Sequence, residues 1–248
     1  MADIRTLGGS TSGEIGARQH FVEMLRATPI PDNELLSNLG LYLNRQTLSR
    51  ILFMHELYQR IVNVHGVVME FGVRWGQNLA LYSAFRGMYE PFNYNRKIVG
   101  FDTFSGFPTV SAQDGSRVAA GDYGVSENYR EHLEQILKYH ESESPIAHKQ
   151  KFELVVGDAC KTVGEYFAAH PETVVAFAYF DFDLYEPTRK CLEAVLERVT
   201  RGSILAFDEL NCLEFPGETL AVMETLGLSR YAIRRSPLNP LCSYLVVD

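Results

Sequence analysis

Residues 65–76 read HGVVMEFGVRWG. Val67, Val68, Met69 and Phe71 form an apolar run with no polar face, the pattern of a strand covered on both sides in a parallel sheet. The run closes on Glu70 and two glycines, Gly72 and Gly76, in the spacing E-x-G-x-x-x-G. Gln77–Tyr89 follows with helical periodicity. Strand, glycine turn and helix together make the opening unit of an α/β fold. Glycines let a backbone turn tightly and approach a ligand closely, although the same two glycines equally suit close helix packing. The spacing is not the GxGxxG dinucleotide fingerprint, being wider and one glycine short.

The same logic extends outward. KIVGFDTF (97–104), KFELVVGD (151–158), VVAFAYFDFD (174–183) and SILAFDE (203–209) are further short runs rich in Val, Ile and Phe. Helical patterns separate them at Ser126–His140, Lys161–Ala169 and Pro187–Thr200, the last with Gly202 as its stop signal. Another helix is expected over Gly217–Leu226. RYAIRRS and CSYLVVD, joined by a Pro/Asn turn, predict an antiparallel hairpin on the sheet edge. The expected fold is a doubly wound, mostly parallel seven-stranded α/β sheet. Before it, residues 1–14 read as a mobile arm, followed by helices over Ile15–Thr28 and Thr47–Val62. The domain reading is therefore 1–64, arm and helical extension, and 65–248, the α/β domain. Between the second strand and its helix lie about 23 residues, Phe104 to Ser126. A connection that long reads as a functional lid.

The chain has 248 residues, 46% of them hydrophobic and 22% charged, with 23 Lys+Arg against 31 Asp+Glu for a net charge of −8. This composition excludes disorder and fibrous repeats. Acidic balance disfavours a nucleic-acid partner; the densest basic spot, Arg230, Arg234 and Arg235, reads as a solvated strand and turn. No apolar run approaches the ~20 residues of a membrane span, and MADIRTLGGSTSGE has no signal-peptide core. Cys160, Cys191, Cys212 and Cys242 are far apart, form no CxxC motif and read as core thiols in a reducing, cytoplasmic setting.

Each expected parallel strand ends in an acid: Glu70, Asp102, Asp158, Asp181 with Asp183, and Asp208 with Glu209. Helix capping accounts for one such residue, with Asp158 the natural case. It does not account for five sites or for doubled acids. Ligands of open α/β sheets bind outside the carboxyl ends of the strands, and converging carboxylates repel unless a cation compensates. The edge therefore predicts a positively charged ligand, a metal ion, or both. Asp102 ends the second strand, where an acid holds both ribose hydroxyls of a nucleoside. No GxxxxGK[ST] loop is present to cradle phosphates.

VVMEFGVRWGQN, IVGFDTFSGFP, VVGDA, YFDFDLYEPT, ILAFDEL and FPGE, spread over residues 66–218, resemble the class I S-adenosylmethionine-dependent methyltransferases. Within these they resemble the macrocin O-methyltransferase (TylF/MycF-type) group. The resemblance implies a Rossmann-like fold and O-methylation of a small-molecule acceptor, a sugar or natural-product intermediate. It also implies cofactor contacts from Glu70, Gly72, Gly76 and Asn78, then Asp102, Thr103 and Phe104, then Asp158, Ala159 and Asp181. A magnesium ion would be held by Asp181, Asp208 and Glu209; hard oxygen ligands suit that ion. Glu209 stands where Asp or Asn is commoner, and the lysine base of the catechol enzymes falls at Leu184. The general base is therefore unassigned by the resemblance, with Asp181 and Asp183 as the catalytic candidates. Rival readings are a metal-free N-methyltransferase of an amine, a non-catalytic scaffold that keeps the fold, and, least favoured, an NAD-dependent oxidoreductase. His20, His55 and His65 read as ordinary helix residues, and Trp75 and Tyr185 as core aromatics. The apolar helical prelude suits packing on the lid or a homo-oligomer.

Overall fold

Every residue of β1 (Val67–Phe71) is buried, because helices cover both faces of the sheet in which it is an interior strand. The computed structural model describes residues 4–6 and 9–248. In it β1, β2 (Ile98–Asp102), β3 (Phe152–Val156), β4 (Val175–Phe180), β5 (Val199–Phe207), β6 (Arg234–Arg235) and β7 (Ser243–Val246) form one sheet of order β3-β2-β1-β4-β5-β7-β6. β1 to β5 pair in parallel, while β7 runs antiparallel to β5 and to β6. This is the doubly wound seven-stranded sheet, with its terminal antiparallel pair, that the sequence predicts.

Parallel neighbours need crossovers, which α4 (Gln77–Tyr89), α5 (Tyr129–Ser142), α6 (Ala159–Ala169) and α7 (Tyr185–Leu196) supply. Strand alternation splits the core between two faces. Val68, Phe177, Tyr179 and Ile204 face α4, α5 and α3 (Arg45–Ile61), whose Phe53, Met54, Leu57, Tyr58 and Ile61 are buried. Met69, Phe71, Phe180 and Phe207 face α6, α7 and α8 (Pro216–Thr225). On that second face Phe101, Phe71, Phe180 and Phe207 stack in a row across four strands, with ring centroids 4.8, 5.0 and 5.3 Å apart. The chain runs outward from β1 to β3 and returns on the other side at β4. The order thus reverses between β1 and β4, where a crevice opens at the strand ends.

Two expectations are corrected. The helix expected over Pro187–Thr200 ends at Leu196, because Val199 already pairs with Val175. Gly202 is therefore not a helix stop. It lies inside β5 with φ +87°, and its amide donates to the Val247 carbonyl at 2.7 Å. The arm expected over residues 1–14 ends earlier, since α1 (Ser12–Arg26) starts from a capping box between Thr11 and Glu14. The part of that reading at residues 1–3 and 7–8 lies outside the described residues. Arg5 is tied down: its carbonyl accepts the Tyr123 amide at 3.0 Å and its guanidinium pairs with Asp122 at 3.4 Å. After the Pro29–Pro31 break come a short α2 (Asp32–Leu35) and a 3₁₀ turn at Leu36–Tyr42, which no periodicity announces. Among the described residues none before Phe53 is buried, and no helix is long and apolar enough to cross a membrane.

Below the sheet edge, Glu141 on α5 takes both Arg86 and, at 2.7 Å, Lys151, all three almost wholly buried. Removing the one anion strands two buried cations. Glu141→Ala is expected to cost about 3–5 kcal/mol in chemical denaturation; a loss within experimental error would show that water reaches the site.

Candidate functional site at the carboxyl edge of the sheet

The reversal of strand order brings the glycine turn against the end of β4. The Gly72 amide donates to the Phe101 carbonyl at 3.0 Å and the Asp181 amide to the Phe71 carbonyl at 2.8 Å. At φ +95° a side chain on Gly72 would overlap the Asp181 carbonyl oxygen, so this position needs glycine both for conformation and for space. Gly76, at φ +73°, precedes α4 and lies under Leu133.

Asp102 fastens that turn. Its Oδ2 accepts the amides of Val73 at 2.7 Å and Arg74 at 2.8 Å, and its Oδ1 accepts that of Phe104 at 2.5 Å. Burial raises its pKa while the backbone donors work in the opposite sense. Glu70 is buried, and its Oε1 accepts Asn78 Nδ2 at 2.7 Å. Desolvation holds Glu70 well above the usual carboxylate range. Glu70 Oε2 and Asn78 Oδ1 are buried without a partner among the described residues, which leaves two polar atoms for a ligand to satisfy. Asp158 caps α6 through the Cys160 amide at 3.0 Å.

These groups wall a cavity of about 370 Å³. Glu70, Gly72, Gly76 and Asn78 line one side, Asp102, Thr103, Asp158 and Ala159 another, and Asp181, Asp183, Asp208 and Glu209 the third. Phe104 alone of the expected residues is absent from the wall; its ring packs on the core face that carries α4 and α5. Trp75 corrects its expected core role: it is 38% exposed, meets Tyr129 edge-on and lines the cavity. Tyr185 does not line it and donates to Glu224 instead. His55 bonds Tyr89 at 2.6 Å between α3 and α4, away from the cavity.

The long connection after β2 is ordered. Asp114, from a 3₁₀ turn at Ala112–Asp114, accepts the Tyr185 amide at 2.5 Å and the Ser111 amide at 2.6 Å. Val118 packs with Leu184 and Phe215, and Phe107 and Tyr123 lie against them. Phe107, Pro108 and Tyr123 thereby become cavity wall, consistent with the lid reading of Phe104–Ser126.

At the third wall the carboxylates meet a cation that the sequence did not announce. Arg50, on α3, donates to Asp181 Oδ2 at 2.6 Å and to Asp208 Oδ1 at 2.9 Å. Asp208 also accepts from the Tyr179 hydroxyl and from Cys242 Sγ at 3.0 Å, so Cys242 is part of the site and not merely core. Asp183, in left-handed backbone at φ +61°, shares a hydrogen bond with Glu209. Fully buried Glu218 accepts the Glu209 amide at 2.9 Å. Desolvation first, and then mutual repulsion, raise the pKa values of Asp183, Glu209 and Glu218. Glu209 Oε2 and Glu218 Oε2 have no hydrogen-bond partner among the described residues. The donor set, all carboxylate oxygen with unspent acceptors, is of the kind that fits a hard divalent ion. In this arrangement, however, no three His, Cys, Asp or Glu side chains among the described residues form a group that could hold a metal ion; Arg50 is the cation that the carboxylates of Asp181 and Asp208 meet.

Two measurements test this account. Groups with raised folded pKa values hold protons that the unfolded chain has released, so stability falls as pH climbs from the unfolded value toward the folded one. The unfolding temperature of the metal-free protein is expected to fall between about pH 5 and pH 8, and Asp183→Asn to flatten that fall; an equal slope in the variant would remove Asp183 from the cluster's titration. Asp102→Ala is expected to lose the glycine turn's fastening and weaken S-adenosylhomocysteine binding by at least about tenfold in calorimetry; undiminished binding would contradict both roles of Asp102.

No family model and no curated protein matches the chain. Solved structures do. The calicheamicin methyltransferase CalS11 is 42% identical, with a TM-score of 0.93 over 99% of this chain and 97% of that one. An apo structure of CalS11, described as a TDP-rhamnose 3′-O-methyltransferase of calicheamicin biosynthesis, gives 40% identity and a TM-score of 0.86 over 98% of both chains. The O-methyltransferase NovP, at 16% identity and a TM-score of 0.62 over 94% of this chain and 99% of that one, shares the fold. The chain belongs to the family of class I S-adenosylmethionine-dependent O-methyltransferases that includes CalS11.

Proposed function

We propose that this enzyme methylates a ring hydroxyl of a nucleoside-diphosphate-linked deoxysugar. The observation that carries the reading is end-to-end identity of 40% with an enzyme described as acting on TDP-rhamnose. Within residues 65–248, the catalytic domain in this reading, Glu70 to Gly76 with Asn78 take the methionine end of the cofactor. Asp102 and Thr103 take its ribose, and Asp158 and Ala159 border its adenine. Phe104 serves through its amide on Asp102 rather than through its ring. The helices within residues 1–64 cover the acceptor side, where exposed Leu36, Leu48 and Leu52 suit an acceptor or a second copy of the chain.

S-adenosylmethionine supplies a methyl group already activated on sulfonium, so the protein's tasks are alignment and removal of one proton. The acceptor oxygen forms its bond to the methyl carbon as the carbon–sulfur bond breaks, and the hydroxyl proton passes to Asp181. That carboxylate lies against the glycine turn and is pushed up to about 7 by desolvation first and then by Asp208, with Arg50 working in the opposite sense. A base poised near neutrality suits proton removal at physiological pH. Asp183 is the poorer base, being 7% exposed and held well above the usual carboxylate range. Asp181, Asp208 and Glu209 are the residues that would hold a magnesium ion, which would add Lewis acidity at the acceptor oxygen and would lower the pKa of Asp181, so base and metal ligand are alternative roles for that residue; the unpartnered Glu209 Oε2 supports the metal alternative.

The test is mass-spectrometric transfer of labelled methyl to TDP-rhamnose. Asp181→Asn is expected to lower kcat by about 10²–10⁴ while S-adenosylhomocysteine binding persists. Chelation is expected to reduce turnover and added magnesium to restore it. Full activity in the variant removes Asp181 as base, and methylation confined to sugars without a nucleotide removes the substrate class.

A further inference from the structure

The turn between β1 and α4 enters left-handed backbone at Gly72 (φ +95°), Arg74 (φ +48°) and Gly76 (φ +73°). The outer positions are glycine, the residue least strained there. Arg74 keeps a long cationic side chain instead, and strain retained beside a ligand cavity points to a use for that side chain. Arg50 and Arg74 are the cations on the cavity wall among the described residues. Arg50 is spent on Asp181 and Asp208. Arg74 forms no ion pair among the described residues, and its Nε is buried without a hydrogen-bond partner. Aromatic rings lie against it: the guanidinium carbon is 5.8 Å from the centre of Trp75 and 5.0 Å from that of Tyr123, on the long connection after β2. Its charge favours the ionised forms of both Asp102 and Asp181, so it lies within electrostatic reach of the ends of β2 and β4. An unpaired cation in a cavity otherwise walled by acids is a place for an anionic group.

We propose that Arg74 receives the α-carboxylate of the cofactor's methionine moiety, and that this contact makes the site select an amino-acid-bearing nucleoside over its decarboxylated and truncated forms. The inference rests on the reading that the glycine turn takes the methionine end of S-adenosylmethionine. That end is a zwitterion, which asks for acceptors at its ammonium and a donor at its carboxylate. The same cavity offers both: Glu70 Oε2 and Asn78 Oδ1 are acceptors without partners among the described residues, and Arg74 Nε is a donor without one. A guanidinium meets a carboxylate through two parallel N–H···O bonds, and rings packed on it limit the directions its fork can take. The methionine chain would thus be held at its far end, which fixes where the sulfonium methyl points. The acceptor's diphosphate is the other anion in the proposed reaction. Arg74 belongs instead to the cofactor turn, with its own amide on Asp102, and this favours the carboxylate.

The experiment titrates the full chain, Arg74→Met and Arg74→Lys by calorimetry with three nucleosides. These are S-adenosylhomocysteine, its decarboxylated analogue, and 5′-methylthioadenosine, which lacks the amino-acid part. The parent is expected to bind S-adenosylhomocysteine about 10- to 100-fold tighter than the decarboxylated form. Arg74→Met is expected to lose that preference, while its affinity for 5′-methylthioadenosine stays within about twofold of the parent's. Arg74→Lys, which keeps the charge but loses the fork, is expected to retain part of the preference. No preference in the parent, or an undiminished one in a folded Arg74→Met, overturns the assignment while leaving the cofactor reading standing. Equal losses for all three nucleosides mark a distorted turn and overturn it too. Unchanged S-adenosylhomocysteine binding in Arg74→Met with a raised KM for TDP-rhamnose assigns the cation to the acceptor's diphosphate, against the proposal. A parent that binds none of the three overturns the reading of the turn and the proposal with it. Should Arg74→Met unfold, Arg74→Gly, which the left-handed backbone accommodates, decides by the same comparison.

Discussion

Everything at this site depends on the contact between β1 and β4 just past their last pairing. The Asp181 amide donates to the Phe71 carbonyl, and its own carbonyl occupies the space that a Gly72 side chain would need. That contact arises because strand order reverses there, so the two strand ends diverge and the cavity opens between them. The turn that follows β1 is then held by Asp102 from β2 through three backbone amides. Three neighbouring strands thus fix one loop before any ligand arrives. Preorganisation of this kind suits a reaction whose main demand is alignment.

Set against this rigid half is an electrostatic imbalance. Carboxylates gather at the ends of β4 and β5, and desolvation raises the proton affinity of Asp181, Asp183, Glu209 and Glu218. A core built only for stability would not collect acids with unspent oxygens. The cluster persists because Arg50, the Tyr179 hydroxyl and Cys242 supply donors to Asp208, and Arg50 reaches Asp181 as well. The turn that follows β1 is thus fastened through the backbone, whereas the opposite wall is balanced by side-chain donors.

What was legible in the sequence follows the range of the forces involved. Strands buried on both faces leave unbroken apolar runs, so all five parallel strands were readable, and their terminal acids line one cavity at the carboxyl edge. Local chemistry was readable too: Asp158 caps its helix, and Gly72 marks a close approach. Arg50 was not, since its partners lie 131 and 158 residues away and an arginine on an amphipathic helix looks solvated. Gly202 misled because glycine ends helices and also bulges strands, and only pairing of Val199 with Val175 tells them apart. Trp75 was read as core because aromatic residues usually are; Phe107 and Tyr123, which line the same cavity, come from a loop with no periodicity to read.

The absence of burial before Phe53, among the described residues, bears on how such a chain can diversify. Substitutions that touch no core usually change stability by less than about 0.5 kcal/mol. Nearly every position from Thr11 to Leu52 can therefore change identity without threatening the sheet, the cofactor turn or the phenylalanine row. Residues that hold the reactive edge have no such freedom, because each is shared by two or three elements. On the proposed reading that these helices cover the acceptor side, selection on a new acceptor meets a surface that, Arg50 apart, is cheap to rewrite beside a reaction centre that is not.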